Sequence, residues 1–181
     1  MAKFIQYMTK DSLYDGPFDS NSAWPAAGMG DVIVTDNKKI IVIDGGQPND
    51  SESFVELLED QTEGNIPVIE YWIITHPHID HYGAIREISK NAKLKNRIKI
   101  KQFIYWFPNE FCNKDGQPGA LRRANIEMNE ICQTMDAEIY TPKRDDILTL
   151  DEITLQFLYI SQEIILCLHR HNQYLHIFLD L

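Results

Sequence analysis

The sequence predicts an α/β fold in which helices cover at least one face of a mixed sheet. Residues 68–75 form a near-continuous apolar run, which is typical of a strand buried on both faces. Short turns at 36–38 and 151–152 separate apolar segments and indicate antiparallel hairpins. Segments with apolar residues at helical spacing alternate with these strands. Together the three observations indicate an α/β protein.

The first half of the chain predicts a hairpin followed by a helix. The segment up to Gly30 is rich in glycine, proline, serine and aspartate, which mark turns and loops. Strands are expected over 31–35 and 40–43, and the sequence Asp-Gly-Gly at 44–46 ends the second one. Asp50 or Ser51 then caps a helix with one apolar face.

The second half alternates strands and helices before it ends in a further hairpin. The strand over 68–75 is followed by a helix over about 82–92 and a strand over 98–107. Apolar residues at helical spacing predict a helix over 121–135, which packs into the core. A short strand is expected at 138–140, and strands at 147–150 and 153–159 flank the turn at 151–152.

Length and composition favour a single domain over residues 1–181 in a reducing, cytoplasmic compartment. The chain is 44% hydrophobic and 24% charged, as in ordinary globular proteins. Its net charge is −10, which disfavours binding to nucleic acid. Neither a signal peptide nor an apolar run long enough for a membrane is expected. Cys112, Cys132 and Cys167 are widely spaced and predict buried thiols.

The strongest motif places four potential metal ligands within six residues: His76, His78, Asp80 and His81. In an extended segment, residues two apart point the same way, so the first three side chains can converge. We expect Gly83 to give the chain room to turn into the following helix. Imidazole and carboxylate together suit zinc, with iron or manganese as alternatives. The competing interpretation is a surface histidine cluster, or residues that cap a strand-to-helix turn.

The sequence Thr-His-Pro-His-Ile-Asp-His-Tyr-Gly at 75–83 resembles the HxHxDH signature of the metallo-β-lactamase superfamily. The upstream segments 30–34 and 41–46 are similar to the opening hairpin and the Asp-Gly loop of that family. The resemblance extends over about 28–92. It implies an αβ/βα sandwich with the metals at one edge, between the two sheets. This chain is expected to contain the N-terminal half to two-thirds of that fold, shortened at its C-terminus.

The resemblance also implies roles for the motif. His76 and His78 would bind a first metal, and Asp80 and His81 a second, with two Zn²⁺ ions in a complete site and Mn²⁺ or Fe as alternatives. Family members use a metal-bound hydroxide as nucleophile, which Asp80 would orient as the catalytic residue. Asp44 is either a partner that orients a ligand or a residue that caps the strand end.

The second half of the family site has no clear counterpart in this chain. A complete site needs a further histidine, a bridging aspartate and a last histidine, and the remaining candidates are His169, His171, His176 and Asp180. The segment around the first two has no glycine or proline, so we expect both to lie away from the 76–81 segment. Asp180 resembles the bridging aspartate, although an ordinary apolar strand, or a segment replacing the native continuation, explains the tail as well.

The resemblance therefore implies a metal-dependent hydrolase for a small-molecule or phosphodiester substrate, of the phosphodiester, ester or thioester class. The alternative is a catalytically inactive metal-binding fragment or interaction module. An iron oxidoreductase of the same fold is less favoured, because His78 occupies the position of its usual glutamate. A homodimer is the expected means of covering exposed apolar surface, and no membrane partner is expected.

Overall fold

The computed structural model describes residues 1–8, 29–107, 120–159 and 176–180. The strands in this part of the chain are β1 (Lys3–Met8), β2 (Met29–Val34), β3 (Ile40–Asp44), β4 (Val68–Ile74), β5 (Lys99–Tyr105), β6 (Glu138–Tyr140), β7 (Ile147–Leu150), β8 (Ile153–Tyr159) and β9 (His176–Asp180). The helices are α1 (Ser51–Asp60), α2 (Ile79–Lys90), α3 (Ala92–Lys95) and α4 (Ala120–Met135).

The larger sheet has six strands in the order β1-β2-β3-β4-β5-β6. Strand β2 is antiparallel to both of its neighbours, β1 and β3, whereas β3, β4, β5 and β6 run parallel. This confirms the predicted mixture of hairpins and parallel strands. The carboxyl ends of the parallel strands share one edge of the sheet, which is where such sheets place binding sites.

One face of the large sheet is covered by helices, as predicted. Apolar side chains of α1, α2 and α4 form a single buried cluster with the strands. Trp72 lies near its centre, with its ring 5.7 Å from that of Phe54 on α1 and 6.2 Å from that of Phe103 on β5. The spacing of apolar residues along these helices therefore predicted correctly which helix face is buried.

The opposite face of the large sheet packs against the smaller, antiparallel sheet β7-β8-β9. A second apolar cluster lies between the two sheets, and it takes residues from both of them. Its buried members are Ile33, Ile41, Ile43, Ile73, Ile104, Leu150, Ile153, Leu155 and Phe157. The described residues thus form three layers: helices, large sheet and small sheet. The α/β prediction is confirmed.

A polar contact holds the two sheets together at the turn that precedes β3. Asp151 accepts a hydrogen bond from the Thr35 hydroxyl at 2.7 Å and one from Lys39 Nζ at 2.8 Å. The Asp36 N–H donates to Glu152 at 2.8 Å. These bonds join the turns at 35–39 and 151–152, so both hairpin turns lie at the same end of the sandwich.

The structure departs from the sequence prediction at several elements, among them the short helix α3, which was not predicted. Strand β1 was not expected, and it forms because it pairs along its whole length with β2. Helix α2 begins at Ile79, three residues before the predicted start. Cys132 is buried as predicted, whereas Cys112 and Cys167 lie outside the described residues. Within the described ranges, no helix is long and apolar enough to cross a membrane.

Candidate metal centre

The predicted ligands follow the carboxyl end of β4 and continue into the first turn of α2. Ile74 is the last residue of β4, and His78 is the N-cap of the helix. The neighbouring parallel strand β3 ends at Asp44, at the same edge of the sheet. The topology therefore brings the 76–81 segment and the Asp-Gly-Gly turn together.

Asp44 connects these two segments through three hydrogen bonds. Its Oδ1 accepts from the Thr75 N–H at 2.8 Å, and its Oδ2 accepts from the Thr75 hydroxyl at 2.7 Å. Oδ2 also lies 2.9 Å from His81 Nδ1. The side chain is 5% exposed, so these bonds form away from bulk water. Of the two roles left open for Asp44, the bond to His81 favours the one in which the carboxylate orients a predicted ligand.

The backbone of Asp44 lies in the left-handed region, with φ +59°. Aspartate tolerates this conformation better than most residues, but it still costs free energy. Trp72 Nε1 donates to the Asp44 carbonyl at 2.8 Å, and the three side-chain bonds add to this constraint. The strand is thus turned sharply where its carboxylate is needed.

Asp44 determines which nitrogen of His81 carries a proton. A carboxylate only accepts hydrogen bonds, so Nδ1 carries a proton, and in the neutral ring Nε2 then keeps its lone pair. Burial lowers the pKa of His81, but the hydrogen bond and charge of Asp44, with a smaller effect from Asp80, outweigh it and raise the pKa overall. A histidine whose second nitrogen is held by a carboxylate is a common arrangement at metal sites.

The other predicted ligands lie beside His81. The ring centroid of His76 is 3.9 Å from that of His78 and 5.1 Å from that of His81, in edge-to-face arrangements. Asp80 Oδ2 is 3.7 Å from His81 Nε2. Three imidazoles and one carboxylate are donors that suit zinc and similar divalent ions. The chemistry of the donor set therefore fits a metal of this class.

The structure differs from the sequence prediction in how these side chains are brought together. We expected an extended segment through Asp80, but α2 already includes this residue, so alternation along a strand does not place it. Moreover, across the described ranges no three His, Cys, Asp or Glu side chains are assembled as a ligand set. The assignment of His76, His78, Asp80 and His81 as ligands stays a prediction.

Gly83 has a different role from the one predicted. It lies inside α2, where a Cβ atom would be 2.5 Å from Pro48 Cδ and 2.7 Å from Pro48 N. The absence of a side chain lets the helix contact the segment that follows the Asp-Gly-Gly turn. The Ala84 N–H also donates to the Gly46 carbonyl at 3.2 Å. This close approach positions the start of α2 against the end of β3.

Sequence analysis missed one acidic residue at this edge. Asp31 on β2 is paired in register with Ile43, the neighbour of Asp44. Its Oδ1 is inaccessible to solvent and has no hydrogen-bond partner. Burial raises the pKa of Asp31, and the charge of Asp44 raises it further. The available signal was an acidic residue in an otherwise apolar strand.

Of the four tail candidates, His176 and Asp180 lie in the described part of the chain, and His176 pairs in register with Tyr159, at the end of β8 away from the 151–152 turn. His169 and His171 fall outside the described part. Asp180 pairs in register with Thr154, close to the 151–152 turn. That turn contacts residues 35–39, before β3, whereas Asp44 ends β3. The backbone of Asp180 is therefore at the end of the sandwich opposite the 76–81 segment.

Comparison with known proteins supports the fold. The sequence profile of the metallo-beta-lactamase superfamily matches residues 31–161. The metallo-beta-lactamase fold protein YhfI from Bacillus subtilis superimposes with a TM-score of 0.51 at 15% identity, over 97% of this chain and 58% of that chain. A putative metallo-beta-lactamase from Thermotoga maritima gives 0.54 at 11% identity, over 97% and 70%. No curated protein sequence matches. This chain spans less than two-thirds of the length of YhfI.

Proposed function

Because the chain belongs to the metallo-beta-lactamase superfamily, we propose that it is a metal-dependent hydrolase acting on a phosphodiester, ester or thioester. Members of this superfamily generally bind divalent metals such as zinc. The observation that carries the proposal is the Asp44–His81 hydrogen bond of 2.9 Å beside the His76 and His78 rings. This bond supports His81 as a metal ligand, because Asp44 occupies Nδ1 and leaves Nε2 for the metal.

The residues divide into those that would hold the ion and those that position them. His76, His78 and His81 would bind through ring nitrogens, and Asp80 through its carboxylate. Asp44 positions His81, and Thr75 in turn holds both oxygens of Asp44. A bound divalent ion supplies Lewis-acid chemistry and lowers the pKa of water. Asp80, whose side chain is 29% exposed, would accept a proton from the attacking water.

A second candidate function is metal binding without turnover. It is favoured by the position of the Asp180 backbone, because an open half-site would bind a second ion weakly. Turnover measurements separate this candidate from the hydrolase.

Metal analysis of the purified protein is the first test. Zinc content after reconstitution should fall in His78→Ala, because one of the proposed ligands is lost. His171→Ala is the matched control, since we expect His171 to lie away from the centre, and it should retain the metal content of the wild type. Unchanged zinc in His78→Ala would contradict the ligand assignment.

Activity is the second test. We expect slow hydrolysis of phosphodiester, thioester or lactam probes that requires added Zn²⁺ or Mn²⁺ and disappears in Asp80→Ala. Asp60→Asn, an exposed carboxylate at the end of α1, controls for the loss of one negative charge. Metal-independent turnover would contradict the mechanism. A metal-loaded wild type that hydrolyses none of the probes would favour the second candidate.

A further inference from the structure

Trp106 is an aromatic residue at the edge of the sheet where the proposed centre lies. It follows Tyr105, the last residue of β5. Tyr105 is in register with Ile74, the last residue of β4, so the next position on each strand sets Trp106 beside Thr75. Neighbouring strands are about 4.8 Å apart. The Thr75 hydroxyl in turn lies 3.4 Å from His81 Nδ1, so Trp106 is one strand away from a proposed ligand.

The residues on either side of Trp106 fix the direction of its ring. Tyr105 and Phe107 are buried and belong to the apolar cluster on the helix side of the large sheet. The Trp106 side chain packs instead against the cluster between the two sheets, as alternation in an extended segment requires. Thr75 lies on the same side, because Ile73, two residues before it, belongs to that cluster. The indole ring and the Thr75 hydroxyl therefore share the inter-sheet side of this edge.

The segment that carries Trp106 is anchored to both helices beside the centre. The ring centroid of Phe107 is 6.4 Å from that of Tyr82, the residue after His81. Asn125 on α4 donates to the Phe107 carbonyl at 3.1 Å. A ring held by its neighbours in this way has little conformational freedom left to lose when a ligand contacts it.

Trp106 and two of the proposed ligands are accessible from solvent. Trp106 is partly exposed, and His78 is exposed. The side chain of Asp80 is 29% exposed. Binding sites of parallel sheets lie at this edge, outside the carboxyl ends of the strands. A substrate that reaches an ion held by these ligands therefore arrives at the edge where the flat apolar surface of Trp106 is accessible.

We propose that Trp106 is a specificity-determining residue, which stacks on an aromatic group of the substrate next to the reacting bond. This inference rests on the proposed hydrolase function and narrows its substrates to esters and phosphodiesters that carry an aromatic group. Two aromatic rings in contact gain free energy beyond the burial of their area. An alkyl group in the same position covers less of the indole ring and gains less.

Binding is tested first, because it does not depend on turnover. Diphenyl phosphate and dimethyl phosphate carry the same charge and lack a good leaving group, and calorimetry gives the Kd of each for the zinc-loaded full chain. The wild type should bind diphenyl phosphate more tightly. Trp106→Met, which keeps a flexible apolar side chain without a ring, should weaken this binding by about 10-fold and leave dimethyl phosphate unaffected. Trp106→Phe keeps a ring and is the matched control.

Turnover is tested with two esters that share the nitrophenolate leaving group: phenyl p-nitrophenyl phosphate and methyl p-nitrophenyl phosphate. The ratio of kcat/KM for the phenyl ester to that for the methyl ester should fall by about 10-fold in Trp106→Met. The ratio should stay near the wild-type value in Trp106→Phe. A general loss of folded or zinc-loaded protein lowers both rates equally and cancels in this ratio, and the zinc content of each variant is measured alongside.

The outcomes separate the two proposals. A loss confined to the aromatic compounds and restored by Trp106→Phe supports the role of Trp106. Equal losses for aromatic and alkyl compounds, or no loss, overturn that role and leave the hydrolase proposal standing. A wild type that binds diphenyl phosphate no better than dimethyl phosphate overturns it whether or not the variants fold. If the zinc-loaded wild type hydrolyses neither ester but binds diphenyl phosphate through Trp106, the phosphodiesterase activity fails and the aromatic site stands.

Discussion

Replacing Asp44 with asparagine should weaken metal binding much more than it disturbs the fold. Asparagine has the same shape and also tolerates a positive φ, so the backbone turn at +59° can be kept. Its amide oxygen can still accept from the Thr75 N–H. Its amide nitrogen, however, takes the place of the oxygen that faces the Thr75 hydroxyl and His81 Nδ1.

The consequence for His81 follows from hydrogen-bond geometry. An amide N–H cannot accept from Nδ1–H, so the bond is lost or the proton moves to Nε2. In the second case the nitrogen proposed to bind metal has no lone pair. A hydrogen bond to a charged group contributes about 1.5–3 kcal/mol, so the free energy of unfolding should fall by about 2 kcal/mol. Zinc affinity should fall by roughly 10–100-fold.

Two measurements check this prediction. Urea unfolding of the metal-free protein gives the stability change, and zinc titration against a competing chelator gives the affinity. Thr75→Val is the matched control, because it removes one bond to Asp44 while the His81 bond remains. It should lose stability with little change in zinc affinity. Zinc bound as tightly by Asp44→Asn as by the wild type would refute the role assigned to the Asp44–His81 bond.

Three further predictions concern the described structure. Gly83→Ala should lower the urea midpoint of unfolding. Alanine gains about 1 kcal/mol in helix propensity, but overpacking costs about 1–3 kcal/mol, because Pro48 lies 2.5 Å from the added Cβ. An unchanged or higher midpoint would argue against this close packing. The Lys39 hydrogen bond lowers the pKa of Asp151. The stabilisation of the fold by the ionised Asp151 is therefore complete above the ordinary pKa of about 3.9 and disappears as the pH falls through the lowered pKa. Asp151→Asn should flatten this part of the stability–pH curve, and an unaltered curve would exclude a contribution of Asp151 to stability. Burial raises the pKa of the Cys132 thiol to about 12, so its alkylation at neutral pH should require unfolding, as mass spectrometry of labelled peptides with and without urea would show; rapid labelling of the native protein would contradict its burial.

Most elements could be predicted because their signals are local. Apolar periodicity identified helices α1, α2 and α4 and the buried strand β4, and turn residues identified the hairpins. Strand β1 could not be found in this way, because Lys3–Met8 forms a strand only by pairing with β2, more than 20 residues along the chain. The start of α2 was also misplaced, since the histidine motif suggested an extended segment while His78 in fact caps the helix.

The candidate metal centre also has one part that the sequence predicts and one part that it does not. The sequence by itself determined that three histidines and an aspartate lie close together, because they fall within six consecutive positions after a strand. Only the tertiary structure decided how they are held. Asp44 meets His81 across 37 residues, and the pairing of β2 with β3 brings Asp31 beside the end of β3. These contacts depend on which strand ends share one edge of the sheet, and no local pattern of residue types records which side chains that edge brings together.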